Sequence, residues 1–346
     1  MKQESQKQAS KQASKQNCKK KLLSILISSA LSTTYYSLST TPAYAALTEN
    51  ITTDTTLTGE TDTLPDNKQL SVQNGAHLTL KGEETINETI TGDEIVPLYV
   101  EGSKLTAETL NINVTPSDKA TNNRPKGMIV RGNSTAEIKN LNINVTKSNR
   151  EKNTSQSADS DAAYGLAVGY NWNGGSNTGN ARVNVENANI TVNNTADTVR
   201  GNYTGVPIPG GKFETGYQYS GIRVYRSTGS TPEFHSKGKV DIKVSDVSEN
   251  KVADYIVGLY VSGNDAKAIF DGDTNISVTA NGINSAGIKI GKPGKGDAGK
   301  NATVEANGKL TVDTTSINGT TLAKGKTYRG SGAVRLFDED SKFTIT

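Results

Sequence analysis

The chain is short of the residues that many enzymes and stapled secreted domains depend on. Of 346 residues, one is cysteine (Cys18), one is tryptophan (Trp172) and two are histidine (His77 and His235). Two distant histidines and a single thiol supply no zinc-ligand set. No stretch reaches the roughly 20 consecutive apolar residues of a membrane-spanning helix. Aromatics are 5% and the apolar set is 33%, low for a globular chain. Charged residues are 21% and nearly balanced, so full disorder is not the default either.

An excess of basic charge is also missing from the body of the chain. Residues 1–21 hold seven lysines and Glu4, a net of +6, and residues 22–45 carry no charge. The whole chain is +3, so removing that +6 leaves −3 for residues 46–346. A mildly acidic body has no electrostatic reason to seek phosphate backbones, and nucleic-acid binding loses its main support.

The first 45 residues read as a leader. Lys19, Lys20 and Lys21 close a basic run, Leu22 to Leu31 (LLSILISSAL) is a short apolar stretch, and Ala43-Tyr44-Ala45 fits a small-x-small cleavage site. That order is the secretory signal pattern. Cleavage between Ala45 and Ala46 leaves 301 residues without cysteine. Such a chain is stabilised by packing and hydrogen bonding alone, and it reaches any later export step unlocked. Cys18 precedes the apolar stretch, the wrong side for lipid attachment.

What the sequence has in abundance is repetition. LNINVT occurs at 110–115 and identically at 141–146, and related segments follow: ANITV at 188–192, KVDIKV at 239–244, TNISV at 274–278 and KLTVD at 309–313. Apolar and polar positions alternate, which is the strand period. A second strand type interleaves: PLYVEG at 97–102, GMIVRG at 127–132, GLAVG at 165–169, GIRV at 221–224, GLYVSG at 258–263 and GIKIG at 287–291. GAVRL at 332–336 reads as a seventh copy with its alternation slipped by one residue. A third strand type is expected at AEIKN (136–140), ARVNV (181–185) and AKAIF (266–270). Coils near 30 residues with loops of free length describe a β-solenoid, in which each coil buries its apolar face only by stacking on the next. The glycine that opens each GxxV strand is expected to permit a tight corner. Residues 46–95 read as an N-terminal cap or first coils, with LSVQNGAHLTLKG (70–82) as a strand pair around an Asn74-Gly75 turn. Residues 96–346 read as the solenoid proper.

With a leader, a cysteine-free body and Gly-punctuated coils such as GLYVSGNDAKAIF (258–270) and SGAVRLFDEDSKFTIT (331–346), the chain resembles the passenger region of bacterial autotransporters, pertactin-like and adhesin-like proteins of type V secretion. The resemblance implies an all-β, right-handed parallel β-helix displayed on a Gram-negative surface, often for adhesion. Its partner would be a host or bacterial surface protein or glycan. It also implies an outer-membrane β-barrel downstream of residue 346, and a bare β-helix end without a polar cap marks the chain as a fragment of such a protein. A separately secreted exoprotein and a β-helix polysaccharide lyase or hydrolase are the competing readings.

Motifs of chemistry are thin. GKGDAGK at 294–300 imitates a phosphate loop, but Asn301 stands where Ser or Thr is required and the following segment reads as strand, not helix. DGDTN at 271–275 imitates the start of a calcium loop, but Ile276 and Gly282 occupy the positions of the obligatory glycine and acid. His235, in PEFHSKG, reads as part of a loop flanked by Gly and Pro. Asp241, Asp246, Asp271 and Asp273 show no shared face that would make an acid–base pair. No catalytic residue, metal ligand or cofactor is assigned. A recognition loop is the one candidate site: residues 199–220 (VRGNYTGVPIPGGKFETGYQYS) carry Tyr203, Phe213, Tyr217 and Tyr219 among Gly and Pro, with Tyr164, Tyr170 and Trp172 nearby in sequence. Rings on a loop held by a rigid scaffold offer large contact area at little entropic cost.

Overall fold

The computed structural model describes residues 50–59, 61–64, 68–90, 96–116, 125–147, 163–169, 179–194, 219–225, 231–246, 256–280, 285–291, 301–316, 332–336 and 340–346. All belong to one compact unit, Leu47–Thr346. Among the described residues there is no helix. The strands fall into nine successive rungs. The first two are β1 (Asn50–Ile51), β2 (Thr55–Thr58) and β3 (Thr61–Leu64), then β4 (Leu70–Val72) and β5 (His77–Ile90). Rungs three to five are β6 (Leu98–Glu101) with β7 (Lys104–Pro116), β8 (Lys126–Arg131) with β9 (Thr135–Lys147), and β10 (Ala163–Val168) with β11 (Arg182–Asn194). Rungs six and seven are β12 (Tyr219–Tyr225), β13 (Glu233–Ser236) and β14 (Val240–Asp246), then β15 (Ile256–Ser262), β16 (Lys267–Phe270) and β17 (Thr274–Ala280). The last two are β18 (Ala286–Ile290), β19 (Thr303–Ala306) and β20 (Leu310–Ser316), then β21 (Gly332–Leu336) and β22 (Lys342–Ile345).

Every strand pairs in parallel with its counterpart one rung away, which makes the molecule a parallel β-helix. The GxxV strands form one sheet, β1-β4-β6-β8-β10-β12-β15-β18-β21, and the remaining thirteen form the second. Eight steps of about 4.8 Å make this stack about 38 Å tall. The described part of residues 46–95 supplies the first two rungs. Asn74 and Gly75 do adopt positive φ (59° and 79°), but the strands on either side join different sheets, so the turn is a corner of the coil and not a hairpin.

The core is a set of columns running through the rungs. Leu110, Leu141, Ala188 and Val240 occupy one register column, and Ile112, Ile143, Ile190, Ile242 and Ile276 another. All are buried in one cluster. Size is balanced between neighbours where the columns carry rings. Phe234 stands over Ala268 while Ser236 stands over Phe270, and the two rings meet at 5.7 Å and 50°. A large residue in one column therefore fills the space left by a small one in the other, as close packing requires.

The glycines of the GxxV strands act differently from expectation. Gly221 is not at a corner conformation: a Cβ there would lie 2.3 Å from Ile242 Cγ2 and 2.8 Å from the Gly258 carbonyl. The position is small because the two sheets of one rung approach closely. The corner is made by the trailing glycine of the motif, for example Gly132 with φ 69°. In β21 the slip predicted for GAVRL is absent. Gly332 pairs with Ala286, and Val334 with Ile288, so Ala333 takes the glycine position and the alternation continues in phase.

The corner between the two limbs of the second sheet also changes along the stack. In rung five Val185 leads to Ala188 through two residues, and the limbs form one continuous strand. In rung six Ser236 leads to Val240 through three, Lys237-Gly238-Lys239, although Ser236 pairs with Val185 and Val240 with Ala188. The extra residue breaks the strand in two. Its glycine repeats at Gly272 and Gly308, where a Cβ would lie 2.4 and 2.6 Å from the backbone of the preceding rung's glycine. DGDTN is this corner.

Apolar side chains surface at the last rung: Leu336 is 50% and Ile345 62% exposed, while Ile51, Leu57 and Leu64 of the first rung are buried.

Candidate functional site

The two sheets present opposite outer surfaces. Strands of the first sheet are buried at every position in β8 through Val130 and throughout β10, β15 and β18. Strands buried on both faces lose the alternating pattern. Strands of the second sheet alternate buried and part-exposed, as in β17. Solvent therefore meets a polar second sheet, and the outward side chains of the first sheet are sealed off.

Those sealed positions hold charges and rings. Arg223 of β12 lies 4.5 Å from the Tyr164 ring, 5.2 Å from that of Tyr260 and 5.6 Å from that of Tyr225. Lys289, one rung beyond Tyr260, lies 4.7 Å from its ring. Tyr260 is 1% exposed and Lys289 0%. Desolvated cation–aromatic contacts of this kind are each worth up to about 2 kcal/mol. A smaller group sits at rungs three and four: Arg131 pairs with Glu101 at 2.9 Å and lies 4.9 Å from the Tyr99 ring, whose hydroxyl donates to Glu101 at 3.1 Å. Burial pushes the Tyr99 hydroxyl well above the usual phenol range, with Arg131 opposing and Glu101 adding to the rise. Tyr99, Arg223, Tyr260 and Lys289 occupy the second x position of the GxxV-type strands, and Tyr164, Glu101, Arg131 and Tyr225 flank that motif.

Polar side chains also enter the interior. Glu84 and Glu88 of β5 flank Ile86 on the inward face, opposite Leu110 and Val114 of the next rung, and both are buried. Lys126 and Lys147 are buried as well, with the Lys147 ammonium 5.5 Å from the Tyr219 ring. Strand alternation already puts Glu84 and Glu88 in phase with Ile86, and Lys147 in phase with Val145.

On the open face of the second sheet the outward residues of β5, β7, β9 and β11 form two uncharged columns. One runs Thr85, Asn111, Asn142, Asn189; the other Asn87, Asn113, Asn144, Thr191. Amides hydrogen-bond from rung to rung: Asn111 donates to Thr85 Oγ1 at 3.1 Å and to Glu83 Oε1 at 2.9 Å, Asn113 to Asn87 Oδ1 at 3.0 Å, and Asn142 to Asn111 Oδ1 at 2.8 Å. Both ladders then stop. The side chains of Asn144, Asn189 and Thr191 have no hydrogen-bond partner among the described residues. The break coincides with a depression of about 440 Å3 lined by Thr85, Asn111, Asn113, Asn142, Asn144, Asn189 and Thr191, together with Ile143.

Further along, the acidic residues are divided among separate ladders. Asp241 accepts from Asn275 at 2.8 Å and from Lys239 at 2.8 Å. Partial burial opposes ionisation of Asp241, but the hydrogen bonds from Lys239 and Asn275 prevail and hold its carboxyl below the ordinary range. Asp271 accepts from His235 Nε2 at 2.7 Å and from Asn307 at 2.8 Å, and these bonds pull it below the ordinary range too. Asp273 accepts from the Lys309 N–H at 3.3 Å. His235 is thus on strand β13, paired on both sides, and not on a loop. His77 sits on the same limb four rungs earlier, 2.9 Å from Thr106 Oγ1. Among the described residues no three His, Cys, Asp or Glu side chains gather as metal ligands.

Of the expected recognition residues, Tyr203, Phe213 and Tyr217 lie outside the described residues, as do Tyr170, Trp172, the Ala45–Ala46 cleavage site and the GKGDAGK segment. Tyr219 is a correction. It opens β12, is 3% exposed and packs in the central cluster, so it belongs to the interior and not to a loop. Tyr164 is likewise buried beside Arg223. No protein-family model, no curated protein and no solved structure matches the chain.

Proposed function

We propose that this chain is an exported, cell-surface β-helix of the autotransporter-passenger type, acting as a rigid scaffold for adhesion or cell interaction. The observation that carries the reading is the unequal use of the coil's corners. The corner inside the second sheet never gains more than one residue. Connections that enter the first sheet vary from five residues between β17 and β18 to 24 between β11 and β12. A repeat stack tolerates insertions where they do not interrupt the ladder, and those sites are where binding segments collect. The leader pattern of residues 1–45 and the absence of cysteine from residues 46–346 support export. The partner in this reading is a protein or glycan on a host or bacterial surface.

Expression of residues 1–346 joined to an autotransporter β-barrel in a Gram-negative host, with an epitope placed between β11 and β12, tests the proposal. The expected outcome is an N-terminus at Ala46 and an epitope that protease removes from intact cells. A protein that keeps residues 1–45 and stays in the cytosol would overturn it.

A further inference from the structure

The uncharged depression on the second sheet is unassigned by the reading above. We propose that it binds an uncharged polysaccharide chain, laid across rungs three to five. The argument starts from hydrogen-bond valence. An amide side chain carries two N–H donors and a carbonyl with two acceptor sites. Along the ladder those valences are spent on the neighbouring rung: Asn111 uses both donors, on Glu83 and Thr85, and accepts from Asn142. At the break they are not. Asn144 and Asn189 keep donors and acceptor alike, Thr191 keeps its hydroxyl, and the carbonyl oxygens of Asn113 and Asn142 accept nothing from the described residues.

These groups face the same depression, on rungs about 4.8 Å apart. A donor and an acceptor on one planar amide match two neighbouring hydroxyls of a sugar, one accepting and one donating. The register places Asn144 beside Thr191 and Asn142 beside Asn189, so the unspent groups make a patch that can follow successive sugar units. No charged residue lines the depression, and Asp241 and Lys243, which border it beside Asn189 and Thr191, have opposite signs, so charge selects neither an acidic nor a basic glycan. The backbone beneath is a paired central part of the sheet, so binding orders side chains alone and no main chain.

This rests on the reading of the chain as a displayed interaction scaffold, but its test uses purified protein of residues 1–346 and can fail while display stands. Native gels cast with dextran, laminarin or galactomannan, and with polygalacturonate as the charged probe, measure retardation. Retardation by at least one neutral polymer is expected. Asn144→Ala with Asn189→Ala should weaken that association about tenfold, as loss of several modest hydrogen bonds implies. Because neither side chain supports the ladder, circular dichroism and the melting temperature should be unchanged, and Thr344→Ala on the other limb should bind like the parent. Failure to bind any neutral polymer, binding of polygalacturonate alone, or retardation untouched by the double substitution would each overturn the proposal.

Discussion

Leu110 and Leu141 are register partners in β7 and β9, one rung apart, and both are wholly buried in the same core. Their sequence contexts are identical, LNINVT, 31 residues apart. One turn of the coil returns the chain to the same place, one strand spacing higher. The interior is therefore a translational repeat, and each inward side chain is packed between its register partners on the rungs above and below.

Removing one member of such a column should be felt. Leu141→Ala leaves a cavity between Leu110 and Ala188, and the small neighbour on one side gives the surroundings little with which to fill it. A loss of about 2–5 kcal/mol is expected, read as a lower denaturation midpoint. An unchanged midpoint would mean that Leu141 is not central to the core.

The glycine of the GxxV strand should resist even one added methyl. Gly221→Ala forces a Cβ into Ile242 Cγ2 and the Gly258 carbonyl, and overpacking of this kind costs about 1–3 kcal/mol. Ala333→Gly at the equivalent place in β21 should change stability far less, because that rung is open on one side and its neighbours are part-exposed. Equal effects at the two positions would contradict the close-approach explanation.

Arg223 should matter through its rings. Arg223→Met keeps an apolar stem but removes the cation that lies within 6 Å of Tyr164, Tyr225 and Tyr260. About 2 kcal/mol of stability should be lost, and tyrosine fluorescence should change with it. Stability equal to the parent would show that the stem alone carries the packing.

Stability should also depend on pH through Asp271. Its carboxyl is held below the ordinary value by bonds from His235 and Asn307, so the native state favours the ionised form. A depressed native pKa contributes stability above the unfolded-state value and loses it as pH falls through the native one. The parent should therefore melt higher than Asp271→Asn at neutral pH, and the gap should close on acidification below the ordinary carboxylate range. A gap that widens with acid would reverse the assignment. The contribution is modest, since the pair is part-exposed and screened.

The two classes of outward asparagine can be separated by mutation. Asn142→Ala removes a ladder bond to Asn111 and should cost about 1 kcal/mol, whereas Asn144→Ala should cost almost nothing. Parallel denaturation curves decide this, and a larger loss at Asn144 would show that the ladder does not end where the geometry ends it.

Much of the architecture was readable because it is periodic. LNINVT, ANITV, VDIKV and TNISV announce strands of one column, and all four take equivalent places in the stack. Where the reading failed, it lacked the third dimension. GAVRL looked slipped because Ala333 stands in a glycine position, and only the pairing of Val334 with Ile288 shows that the phase is kept. His235 looked like a loop residue from its neighbours Pro232 and Gly238, which are the two corners of its strand. Tyr219 looked like the end of an aromatic loop, yet it opens a buried strand. The Asn-rich columns were visible as outward positions, but nothing in the sequence marks where their ladders stop, because that depends on which amides come within bonding distance across rungs.

The sequence by itself determined that the chain coils: two-residue alternation selects strands, and the recurrence of two strand types in fixed order selects parallel stacking over any sandwich. Both are local or translational properties, so a one-dimensional pattern can carry them. Only the tertiary structure decided which outward faces meet water. Tyr260 and Lys289 alternate along their strands as exposed residues would, and yet they are sealed, while Asn144 and Asn189 in the same kind of position are open. Burial of an outward side chain depends on what covers the sheet from elsewhere in the chain, and no periodicity within the strand records that.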